Sequence, residues 1–303
     1  MRPLARLLFG ILVPLAAAPA QAHGLGGHPP PLPGWSFEPL VVAPLLTALV
    51  LYGIGWGKLQ RRSAHSARTM RSQALWFAGG WSALALALVS PLHEGGERSF
   101  TLHMIEHELI MLVAAPAVAL AHPLPALLWA WPGPARRWLG RAVRSRPVAA
   151  TWTVLAAPTA ATGLQAAALW LWHMPVLFDL ALARPAWHIA QHLALLLSAL
   201  LFWTAVLPRP DTASGARALS ALCLFATSLV SGGLGALMAL STSPWYAAYA
   251  RLGLAPLGLT PVEDQQFAGL IMWVPGGLVH AGAALALTGT LLRGQPRETC
   301  SAV

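Results

Sequence analysis

Residues 101–121 read TLHMIEHELIMLVAAPAVALA. Beyond its first turns the run is unbroken apolar sequence, and its length suits one α-helical crossing of a bilayer core roughly 30 Å thick. The polar groups crowd at the start, where His103 and His107 stand four positions apart with Glu106 between them. Positions i and i+4 share a helix face, so this span enters the membrane with two imidazoles on one side. The stretch reads as a transmembrane helix carrying its chemistry at one end.

Similar apolar runs recur along the chain. They predict spans at 39–57, 74–92, 101–121, 149–172, 186–207, 217–240 and 266–291. Composition agrees: 56% of the residues are hydrophobic, 10% are charged, and the mean hydropathy is +0.60. Soluble domains carry about 25% charged residues, and disordered chains have low hydrophobicity. The expected fold class is therefore all-α, a polytopic membrane bundle of seven transmembrane helices. Ahead of it, Arg2 and Arg6, an apolar stretch and Ala20-Gln21-Ala22 predict a signal peptide over 1–22, with an uncleaved extra span as the alternative. The remaining organisation is a flexible periplasmic leader at 23–38, the membrane domain at 39–292 and a cytoplasmic tail at 293–303.

The net charge of +9 raises the question of nucleic acid. With the mature N-terminus outside, fourteen Lys and Arg fall in inner segments, including Lys58, Arg61, Arg62, Arg136, Arg137 and Arg141. Only Arg98, Arg184 and Arg251 fall outside. That asymmetry predicts an outside N-terminus and a cytoplasmic C-terminus in a bacterial inner membrane. It also accounts for the basic excess without a nucleic-acid partner. Cys223 and Cys300 have no CxxC spacing, which speaks against thiol redox chemistry.

Six histidines gather at the predicted outer ends. His93 ends the second span, His103 and His107 open the third, His173 ends the fourth, and His188 and His192 open the fifth. Only His280 lies deep. The third and fifth spans both read H-x-x-[E/Q]-H, with Glu106 or Gln191 placed to orient a ring N–H. Ionisable groups at membrane depth suggest function by default. Imidazole suits copper, zinc, iron or nickel, and thioethers from Met104 or Met174 would favour Cu(I). Three readings follow: a copper-handling protein, a bis-histidine haem protein, or a zinc peptidase matching H-x-x-E-H. In the second copy Gln191 replaces the acid, so the repeated feature is the histidine pair. Asp264 is expected as a helix N-cap or an outer ligand, with Met272 two turns deeper. His23, if exposed by cleavage, would offer an amine and an imidazole to Cu(II). Pro116 and Pro158 should kink their spans, Pro275-Gly276-Gly277 should break the last one, and Ser231 to Gly235 should pack helices closely.

Four motifs carry a family likeness: His103-Met104-xx-His107; Trp172-His173-Met174-Pro175; Trp187-His188-xxx-His192 in a span ending Phe202-Trp203; and Asp264-Gln265-Gln266-xx-Gly269-xx-Met272-Trp273. In that order on seven spans, over residues 36–292, the chain resembles the CtaG family of cytochrome c oxidase assembly factors. The resemblance implies a non-enzymatic membrane helper whose partners are haem-copper terminal oxidase subunits and the lipid bilayer. It implies copper held by His103, His107, His173, His188 and His192. Glu106 and Gln191 would support them, and Asp264, Met272 and His23 are further candidates. A copper transporter is the alternative, but it needs polar groups continuing across the membrane, and His280 alone is deep.

Overall fold

The computed structural model describes residues 32–62, 67–207 and 213–293, which are helical almost throughout and include no strand. The predicted signal peptide, His23 and the last ten residues lie outside the described residues. Six helices are long and apolar enough to span a membrane: α1 (Pro39–Gln60), α2 (Ala67–Val89), the third span (Phe100–Ala121), α11 (Pro185–Val206), α12 (Ser214–Leu240) and α14 (Pro261–Arg293). A bent pair, α8 (Arg146–Leu155) and α9 (Pro158–Trp172), passes the same test only when its halves are taken together, which gives six to seven candidate spans. Between them lie short helices α3 (Pro91–Gly96), α6 (Leu124–Ala130), α7 (Gly133–Val143), α10 (Pro175–Ala183) and α13 (Ala247–Leu252). Many begin with proline, whose missing N–H costs nothing in a first turn.

The sequence reading needs three corrections. The second span ends at Val89 rather than residue 92, and the Ser90 hydroxyl accepts from Leu92 N to start α3. His93 therefore sits on a separate short helix, not at a span end. The fourth span is more than kinked: its halves diverge by 72° at the break before Pro158. The expected break at Pro275 is absent, because α14 runs unbroken to Arg293. Proline there removes one backbone donor, and the close packing of α14 along α12 holds the helix together.

The third span shows how Pro116 is accommodated. It comprises α4 (Phe100–Glu108), a π-helical turn (Leu109–Ala114) and α5 (Ala115–Ala121). The Ala115 N–H donates to Ile110 O, five residues back. In that register the next donor, for Met111 O, would be position 116, which is proline. The Trp203 indole of α11 supplies the missing donor, Nε1–H to Met111 O at 2.9 Å. Of the six long spans this one is the most buried, and it packs against α2, α11 and α14. The main core gathers around it, including Phe100, Met111, Leu195, Phe202, Trp203 and Met238. Leucines such as Leu193 and Leu197 point outward, as lipid-facing side chains do in a bilayer.

The small-residue stretch behaves as expected. A Cβ on Gly269 would fall 2.5 Å from Gly235 O and Ala239 N, so α12 and α14 touch backbone to backbone. Gly269→Val should force the helices apart and cost about 1–3 kcal/mol, as overpacking does. A lowered thermal midpoint in detergent, with Gly233→Val near neutral, is the expected result. Equal midpoints would show that the contact yields.

Candidate metal centre

The site begins with the anchoring of α4. A helix start leaves its first N–H groups unpaired, and here they are met from α14. Asp264 accepts from Phe100 N at 2.6 Å, Thr101 N at 3.2 Å and the Ser99 hydroxyl at 2.8 Å. The Thr101 hydroxyl donates to Asp264 O at 2.9 Å. A carboxylate here also complements the positive end of the helix dipole. Asp264 thus caps another helix, 2% exposed, and is committed to that task.

With α4 so fixed, His103 and His107 face α11, and their ring centroids lie 4.4 Å apart. His188 and His192 are likewise 4.4 Å apart on α11. The pairs meet: His103 to His188 is 5.6 Å, and His107 to His192 is 5.3 Å. His173, just past the end of α9, lies 6.2 Å from His107. His93 of α3 stacks on His188 at 5.2 Å. Six imidazoles therefore form one contiguous group. Within it, one nitrogen from each of His103, His188 and His192 lie within 4.8 Å of one another, as do donor atoms of His93, Glu106 and His192.

Most of these donors lack partners. His103 Nε2, both His107 nitrogens, and Nε2 of His173, His188 and His192 are buried without a hydrogen bond, as is Glu106 Oε2. So many orphaned buried groups are costly unless a ligand satisfies them. His173 Nδ1–H donates to Leu169 O at 2.7 Å, which leaves the lone pair on Nε2. Burial pulls the His173 pKa down to about 4, so the ring is neutral at pH 7 and ready to ligate. His93 behaves differently. Burial pushes its pKa down, but the Glu106 carboxylate, 2.8 Å from Nδ1, outweighs that and raises it.

The structure thus brings together all five predicted histidine ligands with Glu106. It adds His93, which the sequence placed at the right end but left without a same-face partner. Glu106 approaches both His93 and His192, the latter at 3.6 Å, so it stands among the donors as well as beside them. Gln191 is fully buried, yet its amide bonds to no imidazole. Met104 and Met272 pack into the apolar core, and Met174 is half exposed. The donor set is therefore nitrogen and oxygen, without thioether. Glu108, one residue past the second histidine, escaped the sequence reading altogether. An acid two turns into an apolar run was the available signal.

A family model described as cytochrome c oxidase caa3 assembly factor matches residues 50–294. No curated protein and no solved structure matches the chain.

Proposed function

The chain belongs to the cytochrome c oxidase caa3 assembly factor family, and from that premise we propose that its histidine cluster binds copper and aids copper delivery to the oxidase. The carrying observation is the convergence of six imidazoles and one carboxylate, five of the imidazoles having a buried nitrogen without a hydrogen bond. Neutral imidazoles suit copper among the divalent metals. The rings pack directly on one another, which leaves no slot for a porphyrin between α4 and α11 and disfavours the haem reading. Glu106 is engaged by His93, which disfavours a free general base for peptide hydrolysis. The proposed role is accordingly that of a helper rather than a catalyst.

Orientation follows the charge. The basic residues after α1 and around α7 lie at the span ends opposite the histidines, so the cluster opens toward the periplasm and the C-terminus toward the cytoplasm. Cleavage after Ala22 would place the His23 amine on the same outer side, where amine and imidazole together would chelate Cu(II). Cells carrying His103→Ala with His188→Ala should make normal amounts of the protein but oxidase lacking copper-dependent activity, partly rescued by added copper. Normal oxidase activity at limiting copper overturns the delivery role.

A further inference from the structure

Beneath the histidine cluster lies a second polar constellation. Five spans contribute to a cavity of about 20 Å³ lined by Glu108, Met111, Gln165, Thr227, Ser231 and His280, with Trp203 at its wall. That volume holds about one water, or one bare metal ion. Polar side chains from separate helices rarely meet at such depth without a purpose.

The chemistry of the lining is one-sided. Thr227 and Ser231 spend their hydroxyl protons on Cys223 O and Thr227 O in their own helix. The Trp203 N–H is taken by Met111 O. His280 Nδ1–H donates to Gly276 O at 2.7 Å, so its Nε2 carries the lone pair, and the ring is held flat on Trp203 with centroids 5.6 Å apart. The Gln165 amide N–H approaches Met111 Sδ at 3.5 Å, which leaves Gln165 Oε1 as the unspent atom. Gln165 Oε1 and Glu108 Oε2 are both buried without a partner. Apart from the second N–H of the Gln165 amide, the cavity offers acceptors. An acceptor-lined hollow of this size suits a cation.

We propose that this cavity is a second, deeper Cu(I) site, with Met111 Sδ, His280 Nε2, Glu108 and Gln165 Oε1 as its donors. The thioether and imidazole select Cu(I), and the carboxylate balances its single charge. This proposal rests on the copper reading of the outer cluster. The two places adjoin: Glu108 follows His107, and Leu169, whose carbonyl holds the His173 ring, also lines the cavity. Gly276 is part of the fit, since a Cβ there would stand 3.4 Å from Glu108 Oε2.

The test loads the full-length protein in detergent with Cu(I) under anaerobic conditions, in competition with a chromogenic Cu(I) chelator. Two copper ions per chain are expected, and X-ray absorption should show a sulfur neighbour. Met111→Leu, close to volume-conserving, should drop one ion and erase the sulfur signal while keeping the thermal midpoint. His280→Gln should also drop one ion. His103→Ala with His188→Ala should keep one ion, now with sulfur dominant. One ion bound in an all-nitrogen-and-oxygen shell overturns the deep site and leaves the outer reading standing. No bound copper at all overturns both.

Discussion

His192→Ala is expected to cost the protein more copper affinity than any other single histidine change. His192 Nε2 is 3.6 Å from Glu106, and the residue belongs both to the group with His103 and His188 and to the group with His93 and Glu106. Removing it breaks both donor sets at once. Even groups that only support metal ligands contribute about 10- to 100-fold in affinity, so the loss should reach at least about 100-fold. Adding His103→Ala to His192→Ala should then cost little more, because residues that act as one unit are not additive. Copper competition titrations on the purified single and double variants check this. Independent, multiplying losses would mean that His103 and His192 do not hold one shared ion.

The parts of this architecture that were legible in the sequence are those encoded by local periodicity. Spans show as apolar runs, and the two histidine pairs show because i and i+4 share a helix face. What escaped depends on contacts between distant elements. His93 reaches the cluster only because the chain turns at Ser90 and starts a short proline-led helix. Glu108 lies beside His107 in sequence but turns to another face, toward Gly276 on the last span. The π turn needs both Pro116 and an indole from α11, and Pro275 leaves α14 intact because α12 supports it. Met104 and Met272 look like soft ligands by residue type alone, yet their faces are committed to the apolar core.

Asp264 tests this distinction most sharply, since its acid reads equally as ligand or cap. Its partners at Ser99 and Phe100 are 165 and 164 residues away in sequence, which no local pattern reveals. Hydrogen bonds to a charged group contribute about 1.5–3 kcal/mol each, and breaking a buried charged network costs about 3–5 kcal/mol. Asp264→Ala leaves the first N–H groups of α4 unpaired in a buried setting, so the thermal midpoint in detergent should fall steeply. Asp264→Asn should recover only part of it, because the amide lacks the charge and turns donors toward donors. Copper affinity should fall together with stability, since His103 stands on the first turn that this carboxylate fixes. If instead copper is lost while the midpoint stays at the wild-type value, Asp264 is a ligand and the cap is incidental.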